Sequence, residues 1–195
     1  MLNYRTILGI IAIIVGVISY SFYFRDIFRG KTKPEAFSWL IWSLLAGITF
    51  FAQLSENAGP GAWPTAFTAV VCLVISLTVF FRKNSGGKKI LDYASLSGAL
   101  ISIGIWKYTL NAMIAVVLVI IIGAFGFIPT FKKAFDKPTE ETLLTYFLNG
   151  IKFALAFAAL NSYSPITWLY PIAMVVMNFS LAAIIFWRRR STVAA

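Results

Sequence analysis

The chain has 195 residues, of which 59% are hydrophobic and 12% charged, with a formal net charge of +10 and a mean hydropathy of +0.82. Soluble domains are nearer half apolar, and their apolar residues recur periodically rather than in runs of the roughly 20 residues that a bilayer requires. That balance excludes an ordinary soluble domain, and one cysteine with no histidine excludes a disulfide framework and a histidine-built metal centre.

Seven apolar runs follow one another, near 4–24, 36–53, 64–81, 91–107, 110–130, 141–160 and 168–187; the fourth is short and serine-rich. The first is too long for a signal-peptide core, lacks a small-residue cleavage site and runs straight into Arg25-Asp26, so it reads as a retained span. Basic residues cluster in alternate loops. Arg25, Arg29, Lys31 and Lys33 follow the first span, and Arg82, Lys83, Lys88 and Lys89 the third. Lys132, Lys133 and Lys137 follow the fifth, and Arg188, Arg189 and Arg190 the seventh. Of the 17 lysines and arginines, only Arg5, Lys107 and Lys152 lie elsewhere. The crowded face is expected to be cytoplasmic, which puts the N-terminus outside and the C-terminus inside in a multi-pass protein of the cell membrane. The basicity then belongs to membrane loops rather than to a nucleic-acid surface. Lipids and a small-molecule substrate are the expected partners, homo-oligomerisation is left open, and no cofactor is called for.

The order contains an internal repeat. Residues 16–28 are echoed by 123–135: Gly16 and Gly123, Phe24 and Phe131, and Phe28 and Phe135 are each 107 apart. Pro34 pairs with Pro138 at a spacing of 104, and Phe81-Arg82 with Trp187-Arg188 at 106. Three spans per copy with one spare span between them give two like-oriented copies related by an axis along the membrane normal. The expected fold is all-α transmembrane: a first three-helix bundle at 1–84, a loop and linker helix at 85–109, and a second bundle at 110–195. Substrate sites in such proteins lie between the copies near the midplane.

Polar residues recur on helical faces: Ser38, Trp42, Thr49 and Gln53 in the second span, Thr65, Thr68, Cys72 and Ser76 in the third, and Thr142, Tyr146, Asn149 and Lys152 in the sixth. A shift of 104 places Ser38 on Thr142 and Trp42 on Tyr146, and a shift of 106 places Cys72 on Asn178. The repeat therefore superposes the polar faces, as a shared central path requires. The serines and threonines read first as glue between helices, and Asn149 and Asn178 as site residues or interhelical hydrogen bonds. Trp39, Trp63 and Trp168, near span ends, read as interface-belt aromatics. Lys152 lies well inside a span and is either a functional cation or a lysine snorkelling outward, toward Glu56. No acidic residue falls within the middle of a span, so an Asp/Glu/His proton relay is absent and a passive uniporter is favoured over a pump. A retinal protein would need a lysine in the last span and a buried carboxylate, and enzyme chemistry would need clustered His, Cys or carboxylates.

On these residues the chain resembles the PQ-loop and SWEET transporter superfamily along nearly its whole length. The superfamily's hinge is a Pro-Gln pair near the cytoplasmic end of each repeat's first span. Pro129-Thr130 stands there in the second repeat, and Phe22-Tyr23 in the first. SWEET carriers use an asparagine in the last span of each repeat, which Asn178 matches and Cys72 replaces. The resemblance implies facilitated transport of a small polar metabolite, such as a sugar or small organic acid, by alternating access. Asn178, Asn149, Cys72, Trp42, Tyr146 and Lys152 would face the substrate, and Pro129, Gly123 and Gly126 would supply bending. The same architecture also serves non-transporting receptors and assembly factors, which is the alternative expectation.

Overall fold

A computed structural model describes residues 3–34, 36–82 and 111–193, together with Ser97, Ile101, Gly104 and Tyr108. Lys83, Lys88, Lys89 and Lys107 lie outside the described residues, as does most of the expected fourth span. Among the described residues the chain is all-helical. Its six α-helices are α1 (Tyr4–Phe28), α2 (Ala36–Ser55), α3 (Trp63–Phe81), α4 (Ala112–Asp136), α5 (Leu143–Ala158) and α6 (Pro165–Val193). Two short 3-10 turns, Gly59–Ala62 and Pro138–Glu140, precede α3 and α5. The sequence placed six of its spans on these helices, with ends shifted by a few residues. The largest differences are at the C-terminal ends of α4, which runs on to Asp136, and of α6, which continues through Arg188–Arg190 to Val193. Among the described residues, five helices are long and apolar enough to cross a membrane. α5, with 16 residues, is about 24 Å long, short of the roughly 30 Å hydrocarbon core.

α1 and α4 each run for 25 residues from an asparagine cap. Asn3 Oδ1 accepts from Arg5 N (3.3 Å), and Asn111 Oδ1 from Met113 N (3.0 Å) and Ile114 N (3.3 Å), which satisfies amides that a helix start otherwise leaves open. The helices close a ring in the order α1, α3, α2, α4, α6, α5 and back to α1. Large apolar side chains point outward around the ring, among them Ile14 on α1, Val70 on α3, Phe51 on α2, Phe125 on α4, Val176 on α6 and Phe147 on α5. A soluble monomer rarely exposes so continuous an apolar surface, so the ring's surroundings are lipid.

Hydroxyl groups bind the ring together. Ser19 Oγ donates to Thr145 O (2.9 Å) while Thr145 Oγ1 donates to Ser19 O (3.1 Å), joining α1 to α5. Ser43 Oγ to Ala69 O and Ser76 Oγ to Ala36 O, both 2.7 Å, join α2 to α3. Pro171 lies inside α6 and has no N–H for the carbonyl four residues earlier. That carbonyl, on Thr167, instead accepts from Gln53 Nε2 of α2 at 2.9 Å. A helix defect is thereby turned into a contact across the ring.

The ends of the ring differ in charge. Arg82 stacks on Phe28 at 4.5 Å, Arg188 Nε donates to Phe135 O at 2.9 Å, and Lys33 pairs with Glu140 at 3.0 Å. These contacts gather the C-terminal ends of α1, α3, α4 and α6 and the N-terminal ends of α2 and α5 at one basic end. The other end holds Arg5, whose Nη1 donates to Asn161 O (3.4 Å), and Asn161 N donates to Ala58 O (3.0 Å).

Candidate functional site

In the middle of the ring lies a cavity of about 40 Å³, room for about three water molecules. Five of the six substrate-facing candidates line it: Trp42 from α2, Cys72 from α3, Tyr146 and Asn149 from α5, and Asn178 from α6. Residues distant in sequence thus converge because α2, α3, α5 and α6 each turn one polar face inward.

Their partners divide them. Asn178 Nδ2 donates to Met174 O in its own helix at 2.8 Å, a local bond that fixes its rotamer. Tyr146 OH donates to Glu141 Oε2 at 2.7 Å, tying the cavity wall to the basic end. Cys72 is a buried free thiol. Asn149 Oδ1 and Trp42 Nε1 are buried with no hydrogen-bond partner among the described residues. A buried polar atom without a partner costs about 1–3 kcal/mol. Both atoms belong to residues of the cavity lining, but neither is accessible from the cavity, and Trp42 Nε1 lies against α4 at Gly126.

The sixth candidate, Lys152, is fully buried. Its Nζ donates to Thr68 Oγ1 at 2.7 Å and sits 3.5 Å from Tyr20 OH, over the rings of Phe153 (4.3 Å) and Tyr20 (4.9 Å). It does not reach the outer interface, so the snorkelling alternative toward Glu56 is set aside. Thr68, Tyr20 and Phe153 line the cavity, which puts the ammonium one side chain behind its wall.

The sequence pointed to Trp42 and Tyr146 but not to the rest of the aromatic wall. Trp39, expected in the interface belt, is 5% exposed and packs on Tyr23 (4.9 Å) and Trp42 (5.1 Å). The belt rule reads depth along a helix, whereas Trp39 is decided by which way its face turns. Tyr20, Phe127 and Tyr170 complete the wall. Tyr20 carried one available signal: it lies four residues after Gly16 on the buried stripe of α1.

The proposed hinge residues lie on α4. That helix runs unbroken through Pro129 to Asp136. Gly123 lines the cavity, and Gly126 faces Trp42, whose Nε1 would be 3.0 Å from an added Cβ. Gly126 lets α4 approach α2 closely, whereas a Cβ at Gly123 would meet only Leu45 Cδ1 at 3.7 Å.

Both ends of the cavity are closed. At the Arg5 end the 3-10 turn Gly59–Ala62 packs against α1, α2, α3 and α5. A Cβ on Gly61 would stand 2.6 Å from Leu160 Cδ2 and 2.7 Å from Ala156 O, and one on Gly9 would stand 2.9 Å from Pro60. At the basic end Glu141, 4% exposed, pairs with Lys133 (2.8 Å), and its carbonyl accepts from Arg189 Nη2 (2.6 Å). Thr142 Oγ1 donates to Asp26 Oδ2 (2.9 Å) and lies 2.8 Å from Thr32 Oγ1. The Lys33 ammonium, 3.0 Å away, holds the Glu140 carboxyl below the usual carboxylate range.

The fold and its apolar exterior define an all-helical membrane protein. No protein-family model, curated protein or solved structure matches the chain.

Proposed function

We propose that the protein is a membrane carrier for facilitated, uncoupled movement of a small polar metabolite, built as a SWEET-like pair of three-helix bundles with a linker helix. The observation that carries the reading is the central cavity, on which Trp42, Cys72, Tyr146, Asn149 and Asn178 converge from four helices. The repeat reading draws support from the pairs it predicted. Trp42 and Tyr146, and Cys72 and Asn178, line the same cavity. α1 and α4 match in length and cap. The packing of α1 on α3, α2 on α3 and α1 on α5 has counterparts in α4 on α6, α5 on α6 and α4 on α2. α3 finishes at the basic end and α4 starts at the other, the relation that like-oriented copies require. With the basic end cytoplasmic, the two bundles would rock about the cavity, opening one end at a time, with bending around Pro129, Gly123 and Gly126.

The test is uptake into proteoliposomes of pooled labelled sugars, amino acids and organic acids. Uptake of one class is expected, with Asn149→Ala reducing it roughly 5- to 150-fold, since one lost hydrogen bond in a buried site is worth about 1–3 kcal/mol. If no solute of any class moves, the carrier reading fails. A non-transporting receptor or assembly factor would then take its place. That alternative is favoured by the small cavity and by the hydroxyls of Ser19, Ser43, Ser76 and Thr145, all engaged between helices.

A further inference from the structure

We infer that a recess at the basic end of the ring binds an anionic phosphate group, carried by a lipid headgroup or a soluble ester. The inference goes beyond the carrier reading and does not depend on it. The recess measures about 460 Å³, against about 40 Å³ for the central cavity, and falls in the range of roughly 300–1,000 Å³ that small-molecule sites occupy. Three basic residues line it: Arg25 in the last turn of α1, Lys31 in the loop that follows, and Arg189 on α6. Two carboxylates, Asp26 and Glu141, line it as well, and both are engaged. Asp26 pairs with Arg25 at 3.0 Å and accepts from Thr142. Glu141 gives one oxygen to Lys133 at 2.8 Å, from outside the lining, and the other to Tyr146 at 2.7 Å. Among the described residues no carboxylate pairs with Lys31. The lining therefore keeps an excess of positive charge.

The basic groups are ordered before any ligand arrives. Arg25 is bound to Asp26 and lies over the Phe22 ring at 5.0 Å. Arg189 donates to Pro138 O at 3.1 Å and to Glu141 O at 2.6 Å. Gly30, with a φ of +68°, turns the chain so that the amides of Lys31 and Thr32 both donate to Asp26 O, at 2.9 and 3.2 Å. Groups fixed in advance lose less freedom on binding. Donors converge from α1, its loop and α6, and the exposed Thr139 adds a hydroxyl. That spread suits an anion with three or four acceptor oxygens better than a carboxylate with two. The setting supplies such anions. α5 stands between α1 and α6 in the ring and begins only at Leu143. α1 and α6, with 25 and 29 residues, are about 37 and 43 Å long and outrun the roughly 30 Å hydrocarbon core. The recess at their ends, over the start of α5, lies at headgroup level, where basic pockets between helices meet lipid phosphates.

The experiment is thermal unfolding of the purified full-length protein under two sets of conditions. One uses mixed micelles containing phosphatidylglycerol or phosphatidylcholine. The other uses lipid-free detergent with inorganic phosphate or chloride at matched ionic strength. Phosphatidylglycerol, inorganic phosphate or both are expected to raise the melting temperature, by about 5–10 °C at a hundredfold excess over Kd. Phosphatidylcholine and chloride are not. A rise with the lipid alone assigns the site to a headgroup, and a rise with inorganic phosphate alone to a soluble ester. A rise with both shows that the phosphate group itself suffices. Lys31→Gln and Arg25→Gln should weaken binding about tenfold or more, read from the titration midpoint. Arg29→Gln and Lys132→Gln remove the same charge from the same end outside the recess and should leave the midpoint unchanged. Equal rises with phosphatidylglycerol and phosphatidylcholine, equal rises with phosphate and chloride, no rise with either phosphate source, or the same loss in all four variants would each overturn the site. Failure of solute uptake removes the carrier and leaves this site standing.

Discussion

The two ends of the helix ring are closed by different chemistry. At the Arg5 end the closure is backbone against backbone. The Gly59–Ala62 turn meets the last turn of α5 so closely that no Cβ fits at Gly61, and Gly59 holds a φ of +63° against Asn161. Ala58, Ala62 and Leu160 are fully buried there. At the basic end the closure is made by side chains: Lys133 on Glu141, Lys33 on Glu140, and Thr142 between Thr32 and Asp26. Side-chain bonds can exchange for water one at a time, whereas the packed turn can loosen only by moving main chain. The basic end should therefore open first, and Tyr146, which lines the cavity and donates to Glu141, links the contents of the cavity to that opening.

The sharpest way to break this comparison is Gly61→Leu. Overpacking a tight site costs typically 1–3 kcal/mol, and here the obstacles at 2.6–2.9 Å include the Ala156 carbonyl and Leu160 Cα. A loss of about 3 kcal/mol is expected, read as a fall in melting temperature of roughly 6–12 °C. A variant as stable as the wild type would show that the turn yields easily and that the two ends do not differ in kind.

Glu141→Gln comes next. It removes the charge facing Lys133 and keeps an acceptor for Tyr146. Breaking a fully buried pair costs about 3–5 kcal/mol, but Lys133 is 22% exposed, so about 2 kcal/mol is expected. The single cysteine, Cys72, lies in the cavity wall and reports which end has opened. An impermeant thiol reagent applied from the basic side should label the Glu141→Gln variant at least tenfold faster than the wild type. Reagent on the Arg5 side should show no change. Acceleration from both sides would mean that Glu141 stabilises the whole ring rather than one end.

The sequence was most legible where a single physical rule governs a residue. Run length located the six described helices, the 3.6-residue period grouped Trp42 and, separately, Cys72 and the pair Tyr146 and Asn149 on polar faces that meet at one cavity, and the repeat added Asn178. It was least legible where a partner on another helix decides. Lys152 reads identically whether it reaches outward or inward, and only Thr68 and Tyr20 settle its direction. Trp39 has the depth of a belt residue and the azimuth of a core residue. The closure around Gly61 depends on Leu160 and Ala156, nearly a hundred positions away, which neither periodicity nor composition brings near.

The smallest expected effect concerns Lys33 and Glu140 at the surface of the basic end. Lys33 is 65% exposed, and exposed pairs contribute about 0–1 kcal/mol, so Glu140→Gln should lower the melting temperature by no more than about 3 °C. The sign of the pH dependence identifies the cause. Because Lys33 lowers the folded-state pKa of Glu140, the pair's contribution is complete above the usual carboxylate pKa of about 4.3. It declines as pH falls through the lower folded value, where the carboxylate takes up a proton. The gap between wild type and Glu140→Gln should therefore be present at pH 6, close as pH falls below about 4, and shrink in high salt, which screens exposed charges. A gap that persists in acid would mean that Glu140 acts through packing rather than through charge, and the basic end would then resemble the packed Arg5 end more than the comparison allows.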